Sequence, residues 1–403
     1  MRALPYLLAG LVSTPALAGP VALKPLVDAR LRYEHVDQAP LARDADAVTM
    51  RIRSGVEAKA GDFALLAESE AVLALSENYN SGLNGKAGFP LVPDAQNIEL
   101  NRLQLQYRGL PKTVVTLGRQ RINLDDQRFV GSVGWRDNEQ TFDAARIEWS
   151  GVKNLKADVT YAWADRTIWG IDGGNRYGPA RYASIGGDNI FANLSFATTL
   201  GTLTGFAYLV DQDRALVLRN SSQTYGARFA GSRAIGPKAK LTYLASYARQ
   251  SDNGRNPNHY AASYYAGEIG LELAAFKVGG GYEVLGADEG VALTSFQTPL
   301  ATLHKFNGWA DKFLVTPPDG LRDAYGTAGY GWKKVGPFAS IDLTAAYHRF
   351  DSDRAAQHYG DEIDLQASVR RGRYTALAKY ASYAADRFAT DTTKFWLSLE
   401  WAI

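Results

Sequence analysis

Along most of the 403-residue chain, apolar and polar residues take alternate positions over stretches of roughly ten residues. Successive side chains of a strand point to opposite faces, so this period of two predicts strands with one apolar face and one polar face. Val27, Ala29, Leu31 and Tyr33 interleave with Asp28, Arg30, Arg32 and Glu34. Val48, Met50 and Ile52 interleave with Thr49, Arg51 and Arg53, and after a Gly61-Asp62 turn the chain returns through Phe63 to Leu75. The same alternation marks Leu155 to Trp163, Ile190 to Phe196, Leu241 to Tyr247, Ile341 to Tyr347, Ile363 to Val369 and Phe395 to Ile403.

The connections alternate too. Short turns fall at 61–62, 109–112, 150–153, 200–201, 235–238, 335–337 and 371–372, and between them lie long polar segments near 76–96, 122–140, 165–187, 211–222, 250–260, 286–323, 351–360 and 385–392. Short turns at one end and long loops at the other predict an all-β fold, a transmembrane antiparallel up-and-down β-barrel. The segments count to about eighteen strands, with sixteen also acceptable, and an even number puts both termini on the periplasmic side. A secreted β-sandwich would also alternate, but its polar faces are mixed and its strands average about 5 to 6 residues. No linker or composition break divides residues 19–403, which read as one barrel domain.

Composition narrows the setting. Met1 and Arg2, the mostly apolar Ala3 to Val12 and the Ala16-Leu17-Ala18 triplet before Gly19 read as a secretory signal peptide over 1–18. Its apolar core is shorter than the ~20 residues that cross a bilayer. Such a leader predicts export, here to the outer membrane of a Gram-negative bacterium, with lipid and the barrel-assembly machinery as partners. The final residue is Ile403 rather than an aromatic one, which puts efficient recognition by that machinery in question. With no cysteine, neither a disulfide nor a thiolate metal site is available. Lys and Arg number 44 against 42 Asp and Glu, so no basic excess argues for nucleic acid. Tyr is abundant at 22, as interfacial aromatic girdles require.

The densest chemistry lies between Gly118 and Trp149, GRQRINLDDQRFVGSVGWRDNEQTFDAARIEW. Arg119, Arg121, Arg128, Arg136 and Arg146 alternate with acids that include Asp125, Asp126 and Asp143. So many charges suit a wall facing water better than a dry core. This stretch, with HKFNGWADKFLVTPPDGLRDAYG from His304 to Gly326, resembles the alginate-export family of outer-membrane porins. The resemblance implies a single-chain barrel with an Arg-lined passage for an acidic polysaccharide.

Pore-lining candidates are therefore Arg30, Arg32, Arg51 and Arg53 with the central arginines, Asp125, Asp126 and Asp143. A planar guanidinium can grip a carboxylate with two hydrogen bonds. The alternative is a self-neutralised lattice of ion pairs that stiffens the wall. Arg119 and Arg121 share parity with Val115 and Leu117, so their facing depends on whether Gly118 forms a bulge. Arg146, alternating with Ala145 and Ile147, is expected inward. The 286–323 loop either caps or enters the lumen or is a structured external loop; Trp309, Asp311, Lys312 and Phe313 are its constriction candidates.

No catalytic constellation, metal cluster or cofactor motif emerges. None of the five histidines has a serine two residues away on its own strand face, and no glycine-rich loop precedes a helix. The reading is a porin passing hydrophilic, anionic solutes such as alginate or related saccharides by passive diffusion. A closed-lumen adhesin or scaffold and an outer-membrane lipid hydrolase are the alternatives. Direction of transport and oligomeric state stay open, with a monomer plausible.

Overall fold

The computed structural model describes residues 20–174 and 181–403. The expected signal peptide and residues 175–180 of the long segment near 165–187 lie outside the described residues. Eighteen strands follow in chain order, namely β1 Ala22–Gln38, β2 Ala45–Ala60, β3 Phe63–Ala74, β4 Asn97–Tyr107, β5 Thr113–Gln120, β6 Thr141–Trp149, β7 Leu155–Arg166, β8 Ser184–Ala197 and β9 Thr202–Val210. The remainder are β10 Ser222–Gly236, β11 Ala239–Asp252, β12 Ala261–Leu273, β13 Phe276–Leu285, β14 Leu321–Val335, β15 Phe338–Asp351, β16 His358–Arg371, β17 Tyr374–Ala385 and β18 Thr392–Ala402. Each pairs antiparallel with its sequence neighbours, and β1 also pairs with β18, from Asp28 opposite Ala402 to Gln38 opposite Thr392. That seam closes the sheet, so no strand edge is left unsatisfied in an apolar medium.

Side-chain parity sorts the wall as the alternation predicts. In β1, Arg30, Arg32 and Glu34 are buried inside, whereas Leu31 between them is 47% exposed on the outer face. Leu65, Leu117, Ile147, Val159, Leu194, Ile269, Leu365 and Leu397 continue an exposed apolar belt around the barrel. Phe63 against Tyr107 and Phe276 against Tyr330 mark its short-turn end, and Tyr247 against Tyr265 its loop end. An apolar belt between aromatic rows fits a bilayer's hydrocarbon and its two interfaces. Among the described residues no helix is long and apolar enough to cross a membrane.

The alternation breaks where the pairing shifts register, in the β3–β4 pair beside Glu68 and the β6–β7 pair beside Asp143. On β4, Asn101 and Arg102 both reach inward to Glu68. No shift occurs at Gly118, contrary to the bulge considered from sequence; Leu103 through Tyr107 pair without interruption with Arg119 through Val115. Gly118 is required for another reason. Its φ is 111°, and a Cβ there would lie 2.3 Å from the Leu103 carbonyl oxygen.

Candidate functional site

An eighteen-stranded barrel is wider than its wall side chains can fill, and here three connections enter the space; the one between β3 and β4 packs Tyr79 and Val92 on the inward-facing Val36, Ala45 and Ala47, and the other two cross further. Residues 121–140, between β5 and β6, and residues 286–320, between β13 and β14, meet each other inside. Val130 and Leu300 form a parallel bridge, the Gly131 N–H donates to the Leu300 carbonyl at 2.9 Å, and the Thr302 N–H donates to the Gln127 carbonyl at 3.0 Å. Ile122, Leu124, Val130, Phe296, Leu300 and Phe313 pack with inward wall residues such as Phe206, Phe350 and Trp396 into one apolar cluster. The central motif is thus only partly wall. Its ends are β5 and β6, and its middle crosses the lumen.

The 121–140 segment is held by charge on both sides. Arg30 donates to Asp137 at 2.6 and 2.8 Å, and Thr49 donates to the other carboxylate oxygen at 2.5 Å. Arg53 binds Glu70 and lies 3.3 Å from Glu139, which also receives Arg121 and, at 2.6 Å, Asn101. Arg136 bridges Glu34 at 3.2 Å, Asp94 at 3.5 Å and Asp311 at 2.8 Å. Across the lumen, Arg128 grips both oxygens of Glu283 at 2.6 and 3.2 Å, Asp126 meets Arg228 at 2.9 Å, and Asn193 donates to Asp125 at 2.9 Å.

The 286–320 segment docks on β16 to β18. At Gly308, with φ 80°, a Cβ would sit 2.4 Å from the Glu362 carboxylate; its absence lets the next two amides approach. The Trp309 N–H donates to Asp364 at 3.2 Å and the Ala310 N–H to Glu362 at 2.7 Å. Asp311 accepts from Arg136 and from Lys394 at 2.9 Å, and His304 Nδ1 lies 2.7 Å away. On the other side of the imidazole, Lys379 Nζ lies 2.7 Å from Nε2, with the rings of Trp309 and Trp135 3.7 and 4.3 Å from the ammonium. Burial holds His304 well below its usual pKa, against the pull of Asp311 and with the push of Lys379. A neutral imidazole can then donate from Nδ1 and accept at Nε2. Burial raises Asp311, but His304, Lys394 and Arg136 overcome it and hold this carboxylate well below the usual range. Phe313 is buried against Phe350, Tyr359, Tyr383 and Phe388.

Most sequence-selected arginines thus converge on the lumen, paired with acids as in the lattice alternative. Arg51 pairs with Asp28, and Arg146 faces inward to Asp158 and, at 3.3 Å, Glu148. Arg119 and Asp143 depart from the luminal set. They share the outward parity of Leu117 and Ile147, bind each other at 2.7 Å, and Asp143 also takes Arg166 at 2.8 Å. Arg121, just past the end of β5, turns inward instead.

Two cations are less committed. Arg32, 1% exposed, has no hydrogen-bonded guanidinium nitrogen; Asp94 is 3.7 Å away and the Trp135 ring 4.1 Å. Lys312 has no ion pair among the described residues, and burial with the nearby Lys394 pushes it down to about 8. Sequence reasoning missed Glu34, Asp94, Glu362, Asp364, Lys379 and Lys394. The inward parity of the five strand residues was readable, whereas Asp94 lies in the connection between β3 and β4; the convergence of all six on residues far away in sequence was not. Toward the short turns the lumen opens into a polar recess of about 420 Å³ that includes Arg228, Thr242, Glu268, Lys277 and Tyr325. Among the described residues every histidine partner is an acid or Lys379, never a serine, and no acid–histidine group is arranged to hold a metal.

A closed barrel with an apolar belt and an ionised, segment-filled interior defines the class: the fold is that of outer-membrane porins. OccAB1 of Acinetobacter baumannii superposes with a TM-score of 0.71 at 13% identity, over 94% of this chain and 96% of that one. OpdK of Pseudomonas aeruginosa, in a structure with vanillate, gives 0.67 at 12% identity over 94% and 98%. Within that class, the sequence model of the alginate export family matches residues 27–166, from β1 through β7. Comparison with curated proteins finds no match.

Proposed function

We propose that the protein is an outer-membrane channel that lets hydrophilic, anionic solutes cross by diffusion. The observation that carries this reading is the contrast between an apolar exterior and a charged lumen narrowed from within by two tethered segments. Arg30, Arg32, Arg51, Arg53, Arg128, Arg136 and Arg146 bring guanidinium groups to that lumen, and Lys312 adds a cation at the constriction free of an ion pair. The arginines set the local field together with their paired carboxylates, so selectivity rests on the balance between them. The alginate-export match supports an acidic saccharide as one solute class. The vanillate in the OpdK structure supports small organic anions as another. The outer membrane of a Gram-negative bacterium is the setting, reached through a cleaved leader and the barrel-assembly machinery.

Single-channel recording in planar bilayers tests the reading. Ohmic steps with modest anion preference are expected. Replacing Arg51, Arg53 and Arg146 together with Ala leaves their carboxylates unbalanced and is expected to turn the preference toward cations. A protein that inserts yet stays electrically silent would support a closed-lumen scaffold, a reading to which the packed apolar cluster in the lumen lends some support.

A further inference from the structure

The outer surface carries a feature that solute passage does not use. From β14 to β18, small side chains meet on the lipid-facing parity. Ala328 lies opposite Ala345, and Ala367 lies between Leu343 and Ala378 on its neighbouring strands. They floor a groove of about 560 Å³ flanked by aromatic residues that include Tyr330, Tyr380 and Phe395. A second groove of about 420 Å³ shares Ala367 and Ala378 and runs on past Val369 and Ala376. Val369 pairs with Ala376, and Arg371, two residues on, pairs with Tyr374 at the short-turn rim. At about 3.3 Å per residue, that step is ~7 Å.

The rim above these grooves is basic. Lys333 and Lys334 precede one short turn, and Arg370, Arg371 and Arg373 frame the next; all are exposed and, among the described residues, none is in an ion pair. The acids nearest in the pairing do not neutralise them. Lys333, Arg370 and Asp342 share the inward parity of Gly331, which leaves Lys334, Arg371 and Arg373 for the outer rim, and Glu400 turns inward to Arg30 at 3.3 Å. Unpaired cations at the membrane interface attract anionic headgroups, each contributing independently.

We propose that this sector binds an anionic phospholipid, an acyl chain lying along the joined grooves and the phosphate meeting Arg371, Arg373 and Lys334. Apolar walls alone would accept any hydrocarbon; the cationic rim at their end selects the headgroup. A second copy of the chain is a poorer occupant. Other short turns carry Arg108, Lys112, Lys153 and Lys238, so a copy would bring cations to cations. The inference rests on the barrel being embedded in a membrane, not on its conducting.

The test is native mass spectrometry of the whole protein reconstituted with equal phosphatidylglycerol and phosphatidylcholine, with conductance recorded on the same preparations. Phosphatidylglycerol adducts are expected to survive preferentially. R371Q with R373Q is expected to cut that preference roughly thirtyfold, the scale set by two interfacial charges. Filling the groove with Ala367→Trp is expected to remove the adduct with the rim intact, while Lys153→Gln, at another turn, leaves it unchanged. Equal retention of the two lipids, indifference to R371Q with R373Q, or a dimer that Ala367→Trp dissolves would overturn the proposal. Silent protein that keeps its phosphatidylglycerol would sink the channel reading and uphold this one.

Discussion

Arg32 and Arg136 reach the same acidic neighbourhood with different degrees of satisfaction. Arg136 joins Glu34, Asp94 and Asp311, so truncating it leaves buried carboxylates short of a partner, a loss of about 3 to 5 kcal/mol. Arg32 already lacks hydrogen bonds, and an apolar residue of similar volume in place of a poorly paired buried charge is often neutral. Arg136→Met is therefore expected to lower the denaturation midpoint of the reconstituted barrel clearly, and Arg32→Met to shift it little. Lys312 gives a prediction in the pH domain. With its pKa near 8, its positive charge is present at pH 7 and mostly gone by pH 9. Anion preference, read from reversal potentials, is expected to fall across that interval, and Lys312→Gln to abolish the change. His304 acts in the opposite direction. Its pKa is depressed, so below about 6.5, its unperturbed value, the unfolded chain binds the extra proton and stability declines as pH falls. Loop opening, measured by protease cleavage within 286–320, should increase on acidification, and less so in His304→Gln.

The 286–320 segment is anchored through its backbone as much as through its charges. Gly308→Ala would push a methyl group into the Glu362 carboxylate and break the approach of the Trp309 and Ala310 amides. Larger and noisier conductance steps are expected, and replacing 288–316 with a short flexible linker should widen the pore several-fold. Steps unchanged by both would mean that solute bypasses this segment. Strands were legible because lipid on one side and charge on the other impose a strict alternation, visible at Val27 to Glu34 and again at Phe395 to Glu400. The loops escaped that logic. Nothing within 121–140 distinguishes a polar loop outside from one turned in, because its partners, Arg30, Glu70, Arg228 and Glu283, come from far-apart strands. Gly118 left the facing of Arg119 open for a related reason. A glycine in a strand can mark a bulge or a close backbone approach, and the approach to the Leu103 carbonyl won.

For the whole molecule, closure between β1 and β18 fixes stability to the membrane. The apolar belt requires detergent or lipid, and a sample that remained monodisperse without either would contradict the barrel's orientation. Resistance to dodecyl sulfate at room temperature with unfolding on boiling is the expected gel behaviour.

The tie between Val130 and Leu300 bears on what can travel through. Both crossing pieces are secured at two ends each to the wall, and together they bridge its opposite sides. A stiff polymer threading between them would have to part contacts all along its passage, whereas a mono- or disaccharide needs only a momentary gap. Flux that drops steeply with chain length, beginning within the first few sugar units, is the signature such a two-piece turnstile would leave.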